Sequence, residues 1–253
     1  MSDSPSRPDP AATPGEPAHA TDPGGPATAA QYGIWLTDRL THVPEVFHLA
    51  LRFAFDRIDT DALGRAVAAT VARHPALGSA LVERDGGLRR VPAGRTPALD
   101  VVDTAADTGE ALAKRLAEEV ALPFDLATGP LARFTLHQRP GGAAELLVVA
   151  HHAVFDGNSK DVLAADLAAA YAAALGGGPA LSAGGEAFGA PAADPELVAR
   201  AAGFHGPRWA AATDPVLPGG ARAGTDAGPG EAVSWRLDGP GHAALVDAAR
   251  AGG

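Results

Sequence analysis

The chain has 253 residues and no cysteine. Disulfides, thiolate metal sites and a cysteine nucleophile are therefore excluded, and the composition fits a cytoplasmic protein. Lysine is scarce as well: of twenty basic residues only Lys114 and Lys160 are lysine. The formal net charge is -10, and without clustered cations neither nucleic acid nor an anionic membrane is an expected partner. No apolar run approaches the roughly 18 to 20 residues of a membrane span, and the N-terminus lacks the basic and apolar regions of a signal peptide. Familiar catalytic signatures are also missing. There is no G-x-S-x-G elbow, no G-x-x-x-x-G-K loop and no G-x-G-x-x-G after a strand, which leaves hydrolase, NTPase and dinucleotide chemistry without support.

What is present is enough apolar material for a real core, 46% of the residues. Residues 1–26 are poor in large apolar groups and are expected to form a disordered leader, with the fold starting near Ala27. "VFHLALRFAF" (46–55) alternates so that Phe47, Leu49, Leu51, Phe53 and Phe55 share one face, the pattern of a half-buried strand. A cap signal at Asp59/Thr60, followed by Leu63, Val67 and Val71, predicts a helix that stops before Pro75. Two short strands around Asp85-Gly86-Gly87 come next, then a strand "ALDVVD" and a helix carrying Leu112, Leu116 and Val120.

The segment 129–152 reads as a hairpin turned at Pro140-Gly141-Gly142. Its second strand, Leu146 to Ala150, is apolar on both faces and so belongs in the middle of a sheet covered on both sides. A second amphipathic helix carries Leu163, Leu167, Tyr171 and Ala174 and ends at Gly176-Gly177-Gly178. Residues 176–193 and 214–230 read as loops around a short helix near 194–211, and "AVSWRLDGPGHAALVDAARAGG" as a strand followed by a helix. That last helix has no evident cover for its apolar face, and the sequence is read as a fragment.

The central strand runs straight into His151-His152-Ala153-Val154-Phe155-Asp156-Gly157. Nine histidines in 253 residues give about 0.3 adjacent pairs by chance, and Asp-Gly at a fixed offset lowers that to roughly 0.003. Side chains alternate along a strand, so the two imidazoles point to opposite faces and do not easily share a metal. His152, where the strand opens into a turn, reaches a cleft, while His151 goes into packing. A neutral imidazole there accepts a proton from an attacking amine or hydroxyl, or holds that nucleophile by a hydrogen bond. Asp156 either orients His152 or braces the turn through an arginine, and Gly157 permits positive φ and close approach of substrate to the main chain. The plainer alternative is a satisfied core histidine pair beside a common Asp-Gly turn.

At these residues the chain resembles the condensation domains of nonribosomal peptide synthetases, in the chloramphenicol acetyltransferase-like superfamily whose hallmark is HHxxxDG. "TAAQYGIWL" (28–36) resembles the S-x-A-Q-x-R-x-W pattern, keeping Ala30, Gln31 and Trp35. "ARHPALGSAL" (72–81) resembles R-H-E-x-L-R-T, keeping Arg73, His74 and Leu77, and "LPFDLATGPLARFTL" (122–136) is also typical. Gly33, Pro75, Gly78-Ser79 and Asn158 depart from the family pattern, which points to a free-standing or otherwise unusual condensation enzyme.

The resemblance implies an α/β fold, an α+β two-layer sandwich: a chloramphenicol acetyltransferase-like N-lobe with a mixed sheet and flanking helices, the C-lobe largely missing. Residues 27–178 would be the N-lobe, 179–230 a crossover with a short helix, and 231–253 the start of a truncated C-lobe. It further implies that His152 positions or deprotonates the acceptor for attack on a thioester. His151 is then structural, Asp156 is held by an ion pair to Arg73, and Gly157 lies against the substrate channel. No metal or directly bound cofactor is implied. Substrate arrives on the phosphopantetheine of an acyl or peptidyl carrier protein, and the product is an amide or ester of a natural-product pathway. Two other readings are a wax ester synthase-type O-acyltransferase using acyl-CoA, and an inactive or truncated module that docks carrier proteins.

Overall fold

A computed structural model of the chain describes residues 24–40, 43–182, 194–210 and 235–252. The chain divides into two units, Met1–Ala192 and Ala193–Gly253. The first contains β1 (Gly25–Pro26), α1 (Ala29–Leu40), β2 (His48–Phe55), α2 (Thr60–Arg73), β3 (Ser79–Arg84), β4 (Gly87–Pro92), β5 (Leu99–Asp103), α3 (Gly109–Ala121), β6 (Ala132–Gln138), β7 (Ala144–His151) and α4 (Ser159–Ala174). The second contains α5 (Pro195–Trp209) and α6 (Gly239–Ala251). None of these helices is long and apolar enough to cross a membrane.

The main sheet has the order β2-β7-β6-β5. It is mixed: β7 runs antiparallel to both neighbours, and β5 is parallel to β6. A parallel pair needs a crossover, which α3 supplies. Strand β7 is apolar on both faces, as its sequence requires. Leu146, Val148 and Ala150 pack with Leu63, Val67, Leu163 and Leu167 of α2 and α4, whereas Leu147 and Val149 pack with Leu112 and Leu116 of α3. Each of these strand residues is at most 1% exposed, and burying a Leu or Val side chain contributes about 1.5–3 kcal/mol. A slip of one residue would exchange the two faces, so the register of β7 is strongly specified.

Edge strand β2 follows the expected alternation from Leu49 on, with Leu49, Leu51, Phe53 and Phe55 against the α2/α4 core, but Val46 and Phe47, expected in the strand, lie in a 3-10 turn, Pro44–Phe47. Helix α2 starts where the cap signal puts it: Asp59 accepts a hydrogen bond from the Ala62 amide, 2.8 Å. The smaller sheet has the order β1-β4-β3, and its β3–β4 hairpin turns through Asp85 and Gly86, both at positive φ, the geometry of a two-residue hairpin loop.

Three further expectations need correction. Gly25 and Pro26, assigned from sequence to the leader, pair with Arg90 and Arg89 as β1. Helix α1 was not anticipated, although Thr28 and Gln31 form a reciprocal N-terminal box: the Thr28 hydroxyl accepts from the Gln31 amide (3.1 Å) and Gln31 Oε1 accepts from the Thr28 amide (2.9 Å). In the second unit α6 forms as expected, but Trp235–Asp238 pair with no strand among the described residues. Most of the expected leader, the 214–230 loop and Ala232–Ser234 lie outside the described residues. The short helix near 194–211 is α5, fifteen residues long; neither α5 nor α6 buries a residue.

One loop fixes the approach of the two sheets. Asp125 caps its own turn through the Ala127 amide and the Thr128 hydroxyl, and the Leu81 amide of β3 donates to Leu126 O at 2.7 Å. Gly129 sits at φ +60, where a Cβ would collide with Ser79 O and lie 2.9 Å from the Ala93 Cβ. Gly129→Ala is expected to destabilise the first unit by about 1–3 kcal/mol. By contrast, a Cβ at Gly64 within α2 meets nothing within 4 Å, so Gly64→Ala is expected to stabilise by about 0.5–1 kcal/mol. Chemical denaturation of both variants checks the pair.

Candidate active site

The end of β7 separates the two histidines as their positions require. His151 is 1% exposed, whereas His152 is exposed. The β2–β7 register places His151 directly opposite His48. The two rings lie 6.1 Å apart, and the Phe124 ring stands nearly perpendicular to both, with centroid distances of 5.0 and 5.9 Å.

Their hydrogen bonds fix the protons. His151 Nδ1 accepts from the Ala153 amide (3.2 Å), so its Nε2–H is the group that faces Asp38 Oδ1 of α1 at 3.4 Å. His48 Nδ1–H donates to Val120 O at the end of α3 (2.6 Å), which leaves its buried Nε2 without a partner among the described residues. Burial holds both imidazoles below their ordinary value of 6.5. For His151 the Asp38 carboxylate opposes that effect, and nearby His48 and His152 reinforce it.

His152 is fixed differently. Its backbone amide donates to Phe47 O (2.7 Å), and its ring Nδ1 lies 2.8 Å from Phe155 O. A carbonyl only accepts, so Nδ1 carries the proton and the neutral ring's lone pair is on Nε2. Phe155 is itself 4% exposed and packed in the main core, which makes its carbonyl a rigid anchor. The turn between them is closed by Val154 N to His151 O at 3.0 Å, and the Ala153 carbonyl accepts from Gln31 Nε2 of α1 at 3.1 Å.

Two depressions flank the following loop. A broad one of about 500 Å³ is lined by His152, Gln31, Ile34, Arg90 and Phe155. Burial draws the Arg90 guanidinium down to about 10, still a cation at neutral pH. A narrower cleft of about 230 Å³ is lined by His74, Leu77, Asn158, Val162 and Leu163, and His152 does not reach it. Val154, Phe155, Asp156 and Ser159 border both.

Asp156 departs from the expectation. Its Oδ1 accepts from the Ser159 amide (2.8 Å) and hydroxyl (2.7 Å), and these bonds hold its carboxyl below the usual range. It does not pair with Arg73. Arg73 Nε instead donates to Asp166 Oδ2 on α4 (2.8 Å), and its Nη1 donates to Ser182 O and Oγ, each at 3.1 Å. His74 Nε2 shares the same Asp166 oxygen at 2.6 Å. The reason is packing: Arg73 and His74 sit at the end of α2, which lies along α4, while the first turn of α4 satisfies Asp156 locally. Burial alone would raise the Asp166 carboxyl, but His74 and Arg73 hold it below its ordinary value.

Gly157 also differs, since it is not among the positive-φ glycines and a Cβ there meets nothing within 4 Å. The fold itself makes no demand for glycine at this position. Sequence reasoning missed Asp38, His48 and the Phe155 carbonyl: the strand pattern around His48 and the motif around Phe155 were read, but not the part these groups play, and Asp38 lies in no recognised pattern. Gln31 was noted only as a motif residue, though the spacing Thr28-x-x-Gln31 announces its cap.

Two measurements follow from these interactions. Asp166→Asn removes the anion shared by Arg73 and His74 and should cost about 1–2 kcal/mol, the lower part of the range for charged hydrogen bonds because Arg73 is partly exposed. A histidine with a depressed folded pKa stabilises the fold fully above its unfolded value, and that contribution is lost as pH falls below it. The urea midpoint is therefore expected to fall from about pH 7.5 to about pH 5, with His48 and His151 titrating by NMR below 6.5.

Comparison with known proteins agrees with this architecture. Residues 25–184 match the family model for the condensation domain. The chain is 36% identical over 150 residues to nonribosomal peptide synthetase kk1B of Curvularia clavata, which covers 58% of this chain and 1% of that protein. It is 36% identical over 152 residues to the isonitrile lipopeptide synthase of Mycobacterium tuberculosis, covering 58% of this chain and 6% of that one. Among solved structures, the starter condensation domain of the rhizomide synthetase RzmA superposes with a TM-score of 0.57 at 20% identity, covering 70% of this chain and 43% of that chain. The complex of the X-domain and OxyB from teicoplanin biosynthesis gives a TM-score of 0.56 at 30% identity, covering 63% and 35%. The chain thus spans only a small part of the length of these curated relatives. With the family model matching more than half of its residues and the fold agreeing, the chain belongs to the condensation-domain family.

Proposed function

We propose that the chain carries the first lobe of an acyl-transferring condensation enzyme in nonribosomal peptide or related natural-product biosynthesis. On this reading the N-lobe runs from β1 at Gly25 to residue 178, residues 179–230 are the crossover and 231–253 the opening of the second lobe. The donor is an acyl or aminoacyl thioester on the phosphopantetheine of a carrier protein. The acceptor is an amine or alcohol.

The observation that supports this best is the bond from His152 Nδ1–H to the buried Phe155 carbonyl. It leaves a lone pair on Nε2 of an exposed ring that borders a broad depression. The acceptor attacks the thioester carbonyl, the new C–N or C–O bond forms, and its proton passes to His152 Nε2. Collapse of the tetrahedral intermediate breaks the C–S bond, and the departing thiolate takes that proton. No acyl-enzyme is needed, and much of the rate comes from holding the two substrates together. Asp156 braces the turn through Ser159, His151 braces it through Asp38, and Gly157 leaves the main chain open to a substrate.

The test is condensation of a carrier-bound thioester with a free amine, followed by mass spectrometry, in the protein encoded by the complete reading frame. His152→Ala should retain its fold and lose at least about a hundredfold in rate, the low end of what a positioned acid or base supplies. His151→Ala should chiefly lower stability, because it empties a buried site and strands Asp38. Equal unfolding in both variants, or full turnover by His152→Ala, overturns the proposal.

A further inference from the structure

Helix α1 meets the histidine turn at two places. Near its C-terminal end Asp38 faces His151. At its start, Gln31 is 8% exposed and sends Nε2 to the Ala153 carbonyl, 3.1 Å away across 122 residues of sequence. The same side chain closes the N-terminal box through Oε1. Gln31 thus uses one amide group for two tasks, accepting at the head of its own helix and donating to the loop beyond β7.

The donating half bears on His152. Ala153 follows His152 directly, and both polar groups of its main chain are held by side chains: its amide by His151 Nδ1 and its carbonyl by Gln31. The next fixed point is Phe155, whose side chain is buried in the main core and whose carbonyl receives the His152 ring proton. The 2.8 Å ring-to-carbonyl distance spans a turn of only three residues, so it depends on how tightly that turn is held. Releasing Ala153 O would leave a buried carbonyl without its donor and let the turn rearrange.

We propose that Gln31 is a positioning residue for His152, setting the tautomer of its imidazole through the Ala153 carbonyl. The consequence for turnover rests on the transferase reading above. The positioning itself does not.

Substitution separates the two tasks. Gln31→Glu keeps an oxygen acceptor for the Thr28 amide and so keeps the box, but it has no N–H for Ala153 O. Thr28→Val does the reverse, weakening the box while leaving the tether. Gln31→Met removes both. The readout is the ¹⁵N NMR signature and titration of His152 in the whole chain, with helix content by circular dichroism alongside. The ratio of the Nδ1–H to the Nε2–H tautomer is expected to fall about three- to tenfold in Gln31→Glu and Gln31→Met, the range for losing one buried hydrogen bond. In Thr28→Val it should match the wild type, even if helix content declines.

An unchanged His152 signature in Gln31→Glu, or a loss in Thr28→Val equal to that in Gln31→Met, overturns the proposal. Neither result touches the transferase reading, which stands or falls on turnover by His152→Ala.

Discussion

The pairing of β2 with β7, in the one register that sets His48 opposite His151, is the constraint on which the rest of the first unit depends. Strand β7 is buried on both sides, and its side chains reach two different cores. A shift by one position would drive Leu147 and Val149 into the α2/α4 layer and withdraw Leu146 and Val148 from it, at a cost of several kcal/mol. Because that cost is prohibitive, the last paired residue is sealed and the next one is expelled into the turn. The separation of two adjacent imidazoles into a packed group and an accessible one is a by-product of hydrophobic register.

Around this strand end, helices are held by one histidine from each of the two paired strands. Asp38 of α1 and Val120 of α3 both find partners in His151 and His48, and Phe124 completes the cluster with its ring. The Arg133 guanidinium lies 3.9 Å from the centroid of that same phenyl ring and donates to the carbonyls of Glu119, Leu122 and Pro123, capping the end of α3. Glu119, at that end too, accepts from Thr135 and from His137 on the sheet. The α3 face of the sheet is therefore a polar seam laid beside an apolar one, with Val120 and Phe124 at the His48/His151 end and Thr135 and His137 farther along, opposite Leu147 and Glu145 of β7.

Much of this was legible in the sequence because two periods announce themselves. Alternation in 46–55 named the core face of β2 from Leu49 on, helical spacing named Leu63, Val67, Leu112 and Leu116, and the absence of alternation in 146–150 announced a covered strand. Helix α1 was missed although Tyr32, Leu36 and Leu40 recur at helical spacing; that stripe is exposed while Trp35 is buried, so it does not mark the core face. At the site, His151 and His152 were separable from position alone. Their partners were not: Asp38 reaches His151 through a tertiary contact, and the Phe155 carbonyl meets the His152 ring within a three-residue turn whose geometry no residue pattern specifies. The expected Arg73–Asp156 pair fails for the same reason: two charges suggest a partnership, but which carboxylate an arginine meets is decided by helix packing, here that of α2 on α4.

The burial of His48 and His151 has an electrostatic corollary. Desolvation favours the uncharged form of both rings, so the paired ends of β2 and β7 present dipoles in place of two fixed cations. In the proposed transfer, a charge on His152 would arise beside neutral neighbours and be spared the repulsion that flanking imidazolium ions would exert. The influence is mutual, because a charged His152 makes His151 harder to protonate.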